Sequence, residues 1–150
     1  MVDSRQKGAR AETVVRDILR KETGHQWERV PGSGALDAKH GLKGDLYIPN
    51  SNCVYCVEVK HYADDHLTSK LLTSTAPQLI DWWRQTVRES NQINKVPLLI
   101  YKFDRSKCFV AFTQTPAENK YDYLTINVMG HKFHTAELNQ WLKYETPKFI

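Results

Sequence analysis

A chain of 150 residues with 41% hydrophobic and 25% charged side chains has the size and make-up of one ordinary globular domain, which excludes fibrous and disordered classes. No apolar run approaches the length of a bilayer span, and the charged start Met1-Val2-Asp3-Ser4-Arg5 lacks the apolar core of a signal peptide. The expectation is a soluble, cytoplasmic protein with no membrane partner. A net charge of +4 permits a polyanionic partner without demanding one, because Lys and Arg are spread along the whole chain.

In chain order, Ala11, Val14, Val15, Ile18 and Leu19 recur at the spacing of an amphipathic helix. The helix is predicted from about Ser4 to Glu22, with Gly24 as its C-terminal stop. Glu12 lies about 90° from the centre of the apolar stripe. That border position suits a carboxylate aimed at the end of a sheet, and equally an ordinary surface glutamate. Arg29-Val30-Pro31-Gly32-Ser33-Gly34 then opens a loop that runs to Gly44. Its glycines, with Lys39 and Lys43, would let a sugar-phosphate backbone approach closely; a plain connector is the alternative.

A hairpin follows, with Asp45 to Ile48 as one strand, Pro49 to Asn52 as the turn and Cys53 to Lys60 as the returning strand. If Ile48 faces Cys53, Asp45 faces Cys56, and the period of two places Asp45, Glu58 and Lys60 on one face. Asp45 and Glu58 become diagonal neighbours, with Cα atoms roughly 7–8 Å apart, near enough to reach one hard cation. Taken alone, Asp…Glu-x-Lys also fits a solvated polar stripe. Val54, Tyr55, Val57 and Val59, however, make the second strand apolar on both faces and hence central. Charges at the end of such a strand need pairing or a metal.

Cys53 and Cys56 form a C-x-x-C, but positions three apart on a strand point to opposite faces, so buried reduced thiols are preferred to zinc. The odd cysteine count agrees with reduced thiols. Ala76-Pro77 starts a second helix with Leu79, Ile80, Trp83 and Val87 as its stripe and Trp82 at the edge, which suits core packing or a subunit contact. Val96 to Phe103 and Cys108 to Thr113 are strands around an Asp104-Arg105-Ser106 turn, and Tyr121 to Val128 is a further strand. His131 and His134 fall in a polar loop, after which Thr135 caps a last helix burying Leu138, Trp141 and Leu142. No linker or repeat divides residues 1–150, so one α/β domain with a central mixed sheet flanked by helices is expected.

Lys7-Gly8 and Glu12, the Arg29 to Gly34 run, Asp45, and Glu58-Val59-Lys60, in this order, resemble the archaeal-type Holliday-junction resolvases within the PD-(D/E)XK, or restriction-endonuclease-like, nuclease superfamily. The resemblance covers roughly the first half of the chain and continues to a helix bearing Gln78; Gly44 stands where the superfamily name has proline. It implies a restriction-endonuclease-like fold. It also implies that Asp45 and Glu58 are metal ligands, Glu12 a further acid at the metal, Lys60 the catalytic amine and Ser33 a loop hydroxyl near the scissile phosphate. An oxygen-ligand set selects Mg²⁺, with Mn²⁺ as a substitute, and no small-molecule cofactor is expected. Lys7, Arg10 and Arg29 become phosphate contacts, joined by the loop residues Lys39 and Lys43.

Fold does not fix substrate. The expected activity is a homodimeric, structure-selective endonuclease that cuts four-way junctions. The alternatives are a restriction-like, nicking or repair nuclease acting on linear or flapped DNA, and a catalytically silent DNA-binding module. Retention of Glu12, Asp45, Glu58 and Lys60 together speaks against the last.

Overall fold

The computed structural model describes residues 4–31 and 42–150. The first element, α1 (Ser4–Thr23), turns Ala11, Val15 and Leu19 inward and leaves Val14 exposed, so the buried stripe is narrower than the sequence pattern. Gly24 ends it with a φ of 77° and donates its N–H to the Arg20 carbonyl at 3.0 Å, a left-handed C-cap that glycine adopts without strain.

Among the described residues, seven strands form one sheet in the order β1-β2-β3-β4-β5-β7-β6. They are β1 (Glu28–Arg29), β2 (Leu46–Tyr47), β3 (Tyr55–Tyr62), β4 (Val96–Phe103), β5 (Phe109–Phe112), β6 (Tyr123–Val128) and β7 (His131–Glu137). Only β3 and β4 run parallel; every other pair is antiparallel, so the sheet is mixed. A parallel pair needs a crossover. Here it contains the short α2 (Lys70–Thr73) and the long α3 (Gln78–Gln92). Pro77 takes the N-cap position of α3, as the Ala76-Pro77 signal predicts.

Two apolar layers result. On one face, Ala11, Val15 and Leu19 of α1 meet Tyr55, Val57, Val59, Leu98, Ile100 and Val110, with Leu138, Trp141 and Leu142 of α4 (Leu138–Glu145) beside them. On the other, α3 packs Leu79, Ile80, Trp82 and Trp83 against Leu99, Tyr101, Phe103 and Ala111. The alternation of β3 therefore sends Val57 and Val59 towards α1, and Glu58 and Lys60 towards α3. This expected architecture, an α/β domain with a central mixed sheet flanked by helices, is the one observed.

Local expectations change in five places. Arg29 sits in the short edge strand β1 and not in a loop. Trp82 is buried rather than marginal, and Val54 is exposed at a bend before β3. His131 and His134 belong to β7, which turns back on β6 through Met129 and Gly130, both at positive φ, as the favoured two-residue hairpin requires. Thr135 is therefore no helix cap. It is buried in β7, donating to the Val110 carbonyl at 2.9 Å and bonding the Tyr101 hydroxyl, while Glu137 takes the N-cap position of α4.

Candidate active site

Gly44 is the residue that sets the geometry. With φ at 82°, a Cβ there would stand 2.6 Å from the Val57 carbonyl oxygen, so only glycine lets the chain pass this close to β3. Proline, confined to φ near −65°, cannot take the position, which explains the departure from the superfamily name. Asp45 is then fastened three times. Its N–H donates to the Val57 carbonyl at 2.7 Å, its carbonyl accepts the Val30 N–H at 2.9 Å, and its Oδ2 accepts the Val59 N–H at 2.8 Å.

The observed register pairs Leu46 with Val57. Asp45 consequently lies level with Glu58, two residues from the expected partner Cys56. A shift of two preserves the face to which every side chain points. Glu58 is only 3% exposed. Burial, then the Glu89 carboxyl on α3, then the charge of Asp45 push its own carboxyl up to about 11. Both neighbouring acids are acceptors when ionised, so each contact becomes a hydrogen bond only when one partner holds a proton.

Glu12 approaches from α1. Its Oε2 accepts from Arg29 Nε at 3.2 Å and Nη2 at 2.9 Å. Partial burial and the adjacent Asp45 carboxyl raise it to about 7, against the opposing pull of Arg29. Glu12, Asp45, Glu58 and Glu89 thus lie in a series in which neighbouring carboxyls raise Glu12 and Glu58, from α1 across the β2–β3 edge to α3. Lys60 follows two residues after Glu58 on the same face, partly exposed. Among the described residues it makes no ion pair.

Other predicted residues are dispersed. Lys7 donates to Asp104 Oδ1 at 2.8 Å, an oxygen that His61 Nε2 also meets at 2.8 Å. Arg10 is exposed on α1, and Lys43 is partly buried just before Gly44. Ser33 and Lys39 lie outside the described residues. Cys53, Cys56 and Cys108 are buried free thiols, and burial raises each of them. The residue that sequence reasoning missed is Glu89, whose signal was a carboxylate in helical phase with buried Trp82 and Thr86.

Among the described residues no three His, Cys, Asp or Glu side chains surround one point as a metal cage. A cage is not what the chemistry needs. Mg²⁺ is commonly held by one or two carboxylates, with water and substrate phosphates supplying the remaining oxygens. A set made wholly of carboxylate oxygens, one of them the buried and donor-less Oε2 of Glu89, fits such a hard cation.

Comparison with known proteins decides the family. The family described as "Phage putative PDDEXK endonuclease" matches residues 3–146. The chain belongs to it. It is therefore an endonuclease of the PD-(D/E)XK superfamily, a hydrolase acting on DNA. Protein D14 of Escherichia phage T5 is 51% identical over 113 residues, which span 73% of this chain and 71% of D14. Among solved structures, Archaeoglobus fulgidus Hjc, a Holliday junction resolvase from an archaeal hyperthermophile, aligns over 96% of this chain and 99% of its own, at 14% identity and a TM-score of 0.44. No helix of the described residues is long and apolar enough to cross a membrane.

Proposed function

We propose that this endonuclease is Mg²⁺-dependent, acts as a homodimer in the cytoplasm, and cuts phosphodiester bonds at four-way DNA junctions. The observation that carries the metal-dependent reading is the placement of Asp45 level with a 3% exposed Glu58. Two carboxylates in contact inside a protein repel unless a cation or a proton lies between them. Asp45 and Glu58 would hold Mg²⁺, with Glu12 as a further acid. Bound there, the ion would offset charge on the scissile phosphate and lower the pKa of a water.

The chain's own groups supply the rest. Lys60, on the face that Glu58 occupies and nearer the end of β3, orients the attacking water and offsets negative charge as it develops. The Asp45 bond to the Val59 N–H fixes one acid against the strand that bears the other acid and the lysine, so little reorganisation is left for the reaction. Ser33 is proposed beside the scissile phosphate. Lys7, Arg10, Arg29, Lys39 and Lys43 are proposed to contact the backbone, giving affinity with little base specificity.

The junction preference rests on the ordered match of Lys7-Gly8, Glu12, Arg29 to Gly34, Asp45 and Glu58 to Lys60 to the resolvase pattern. It rests also on the economy of a two-fold protein meeting a roughly two-fold substrate. The test is to incubate protein and Mg²⁺ with labelled four-way junction, flap, single-stranded and linear duplex DNA, and to measure mass by light scattering. Paired nicks in opposing strands of the junction by a dimer are expected. A monomer that cuts linear duplex as fast as the junction would leave a nuclease but remove the resolvase activity.

A further inference from the structure

The strand that carries Glu58 and Lys60 ends on an exposed aromatic side chain. With a period of two, Tyr62 follows Lys60 on the face turned towards α3. The ring agrees with that placement, since it lies 4.8 Å from the Trp82 ring on α3 with the two planes tilted by 36°. Two residues of strand separate the Lys60 and Tyr62 Cα atoms by roughly 7 Å. A DNA strand with a phosphate at Lys60 therefore has the adjoining base within reach of Tyr62.

Tyr62 is 44% exposed, whereas Trp82 beside it is only 2% exposed. His66 completes the cluster, 5.1 Å from Trp82 at 89° and 6.1 Å from Tyr62 at 76°. The turn that carries His66 is fixed by Asp65, whose Oδ1 accepts the Leu67 N–H at 2.7 Å. The backbone of Tyr62 is fixed as well, its carbonyl accepting the Asp104 N–H at 3.1 Å. Trp82 in turn packs on the buried Tyr101 at 6.2 Å. Tyr62 thus presents a ring that is backed by the core on one side and open to solvent on another. A tyrosine so held offers a large contact area and loses little conformational freedom when a ligand covers it.

A phosphate at Lys60 and a ring at Tyr62 suit a nucleotide whose base has left its stack. Bases within a continuous duplex are covered on both faces by their neighbours, but at a branch, a flap or a single strand a face is open to an aromatic side chain. Every base has such a face, so the contact selects for unstacking and tolerates any sequence. The charges around the ring favour a base over the backbone: Asp64 and Asp65, exposed in the turn after Tyr62, repel phosphate but not a neutral ring. We infer that Tyr62 is a stacking platform for an unstacked nucleobase next to the scissile phosphate. It is then the residue through which the site distinguishes branched or single-stranded DNA from continuous duplex. The inference rests on the reading that places the phosphate at Lys60, and it adds to it the class of DNA that the site accepts.

Photochemical cross-linking tests this without cleavage, using the silent Asp45→Asn protein and 5-iododeoxyuridine placed in turn at nucleotides flanking a branch point. Long-wave ultraviolet light couples that base, with loss of hydrogen iodide, to an aromatic side chain stacked on it, and peptide mass spectrometry locates the bond. A cross-link at Tyr62 is expected with four-way junction, flap and single-stranded DNA, and none with linear duplex. Tyr62→Ala in the same protein is expected to lose the cross-link and to bind the junction at least about fivefold more weakly, the lower end of one base–aromatic stack. Tyr62→Phe, which keeps the ring, is expected to restore both. Cross-links confined to other residues, or junction binding unchanged in Tyr62→Ala, would overturn the inference and leave Tyr62 as a cover for Trp82. Equal weakening towards junction and linear duplex would overturn it too. Cross-linking by flap and single strand but not by the junction would uphold the platform and remove the junction preference. Failure to bind any of the four DNAs would overturn the platform together with the phosphate contacts proposed above.

Discussion

The Oδ2 of Asp45 accepts the backbone N–H of Val59 at 2.8 Å, between Glu58 and Lys60 in the sequence. One acid is thereby clamped to the strand that carries the other acid and the amine, and the relative positions of Asp45 and Glu58 are set by backbone rather than by flexible side chains. The same bond ties the site to a strand whose first five residues are buried.

Asp45→Asn and Glu58→Gln should each abolish cleavage while leaving DNA binding in place. Glu58→Gln should also raise the melting temperature of the metal-free protein at neutral pH, since it removes a carboxyl that must take up a proton to be buried among acids. The gain would be about 2–4 °C per kcal/mol recovered in a domain of this size. Cleavage gels, binding at equilibrium without metal, and calorimetric melting check the three parts.

Gly44→Ala tests whether the close passage beside β3 positions Asp45. An alanine at φ 82° whose Cβ meets a carbonyl oxygen at 2.6 Å must move the backbone. The expected cost exceeds about 1 kcal/mol, accompanied by loss of activity larger than that destabilisation explains. Denaturant unfolding set against the cleavage rate of the folded fraction measures both.

Lys60→Ala should slow cleavage by at least about 10²-fold, the scale of a positioned proton-transfer or charge-stabilising group. Its DNA affinity should change little. Single-turnover rates at saturating protein distinguish the two, and unchanged rates would make Lys60 a solvated strand residue.

The acids also predict a pH profile for stability. Glu12 and Glu58 are both raised above the ordinary 4.5, to about 7 and about 11. A raised carboxyl holds its proton more tightly in the folded chain than in the unfolded one. Its stabilising contribution is complete below about pH 4.5 and is lost as pH rises through the folded value. The metal-free protein should therefore lose stability from pH 5 to 8, and added Mn²⁺ should stabilise it more at pH 8 than at pH 5. Melting curves with and without metal across that range give the answer.

Binding to a catalytically silent Asp45→Asn protein should weaken steeply with salt and vary little with sequence, as backbone contacts dictate. Lys7 begins tied to Asp104, so Lys7→Ala should reduce the salt slope by about one at most.

The long elements were legible because their patterns admit one solution. The stripe of α1, the Pro77 start of α3 and the two-sided apolar runs of β3 and β4 leave no alternative burial. The register between Asp45 and β3 was two residues out, because Val54 bends outward and lengthens the connection beyond a tight turn. The faces survived, since two is the period of a strand. β7 was hidden because Phe133 is its one large apolar residue, so His131 to Thr135 reads as polar. Glu89 was hidden by its company: between Arg88 and Ser90 it reads as solvated helix, and its buried direction shows only when phase is taken from Trp82.

The one parallel pairing in the sheet, β3 with β4, has a consequence for how the chain matures. Glu58 is covered only after the whole α3 crossover has closed and β4 has docked at register Glu58–Leu99. Contacts so distant in sequence form late, behind the loop-closure entropy of the intervening segment. A nascent chain that has presented Glu12, Asp45 and Glu58 but not yet β4 holds those residues on an uncovered hairpin. A chain that ends before β4 is therefore expected to leave Glu58 uncovered and to lack cleavage activity, which truncation after Lys95 would test.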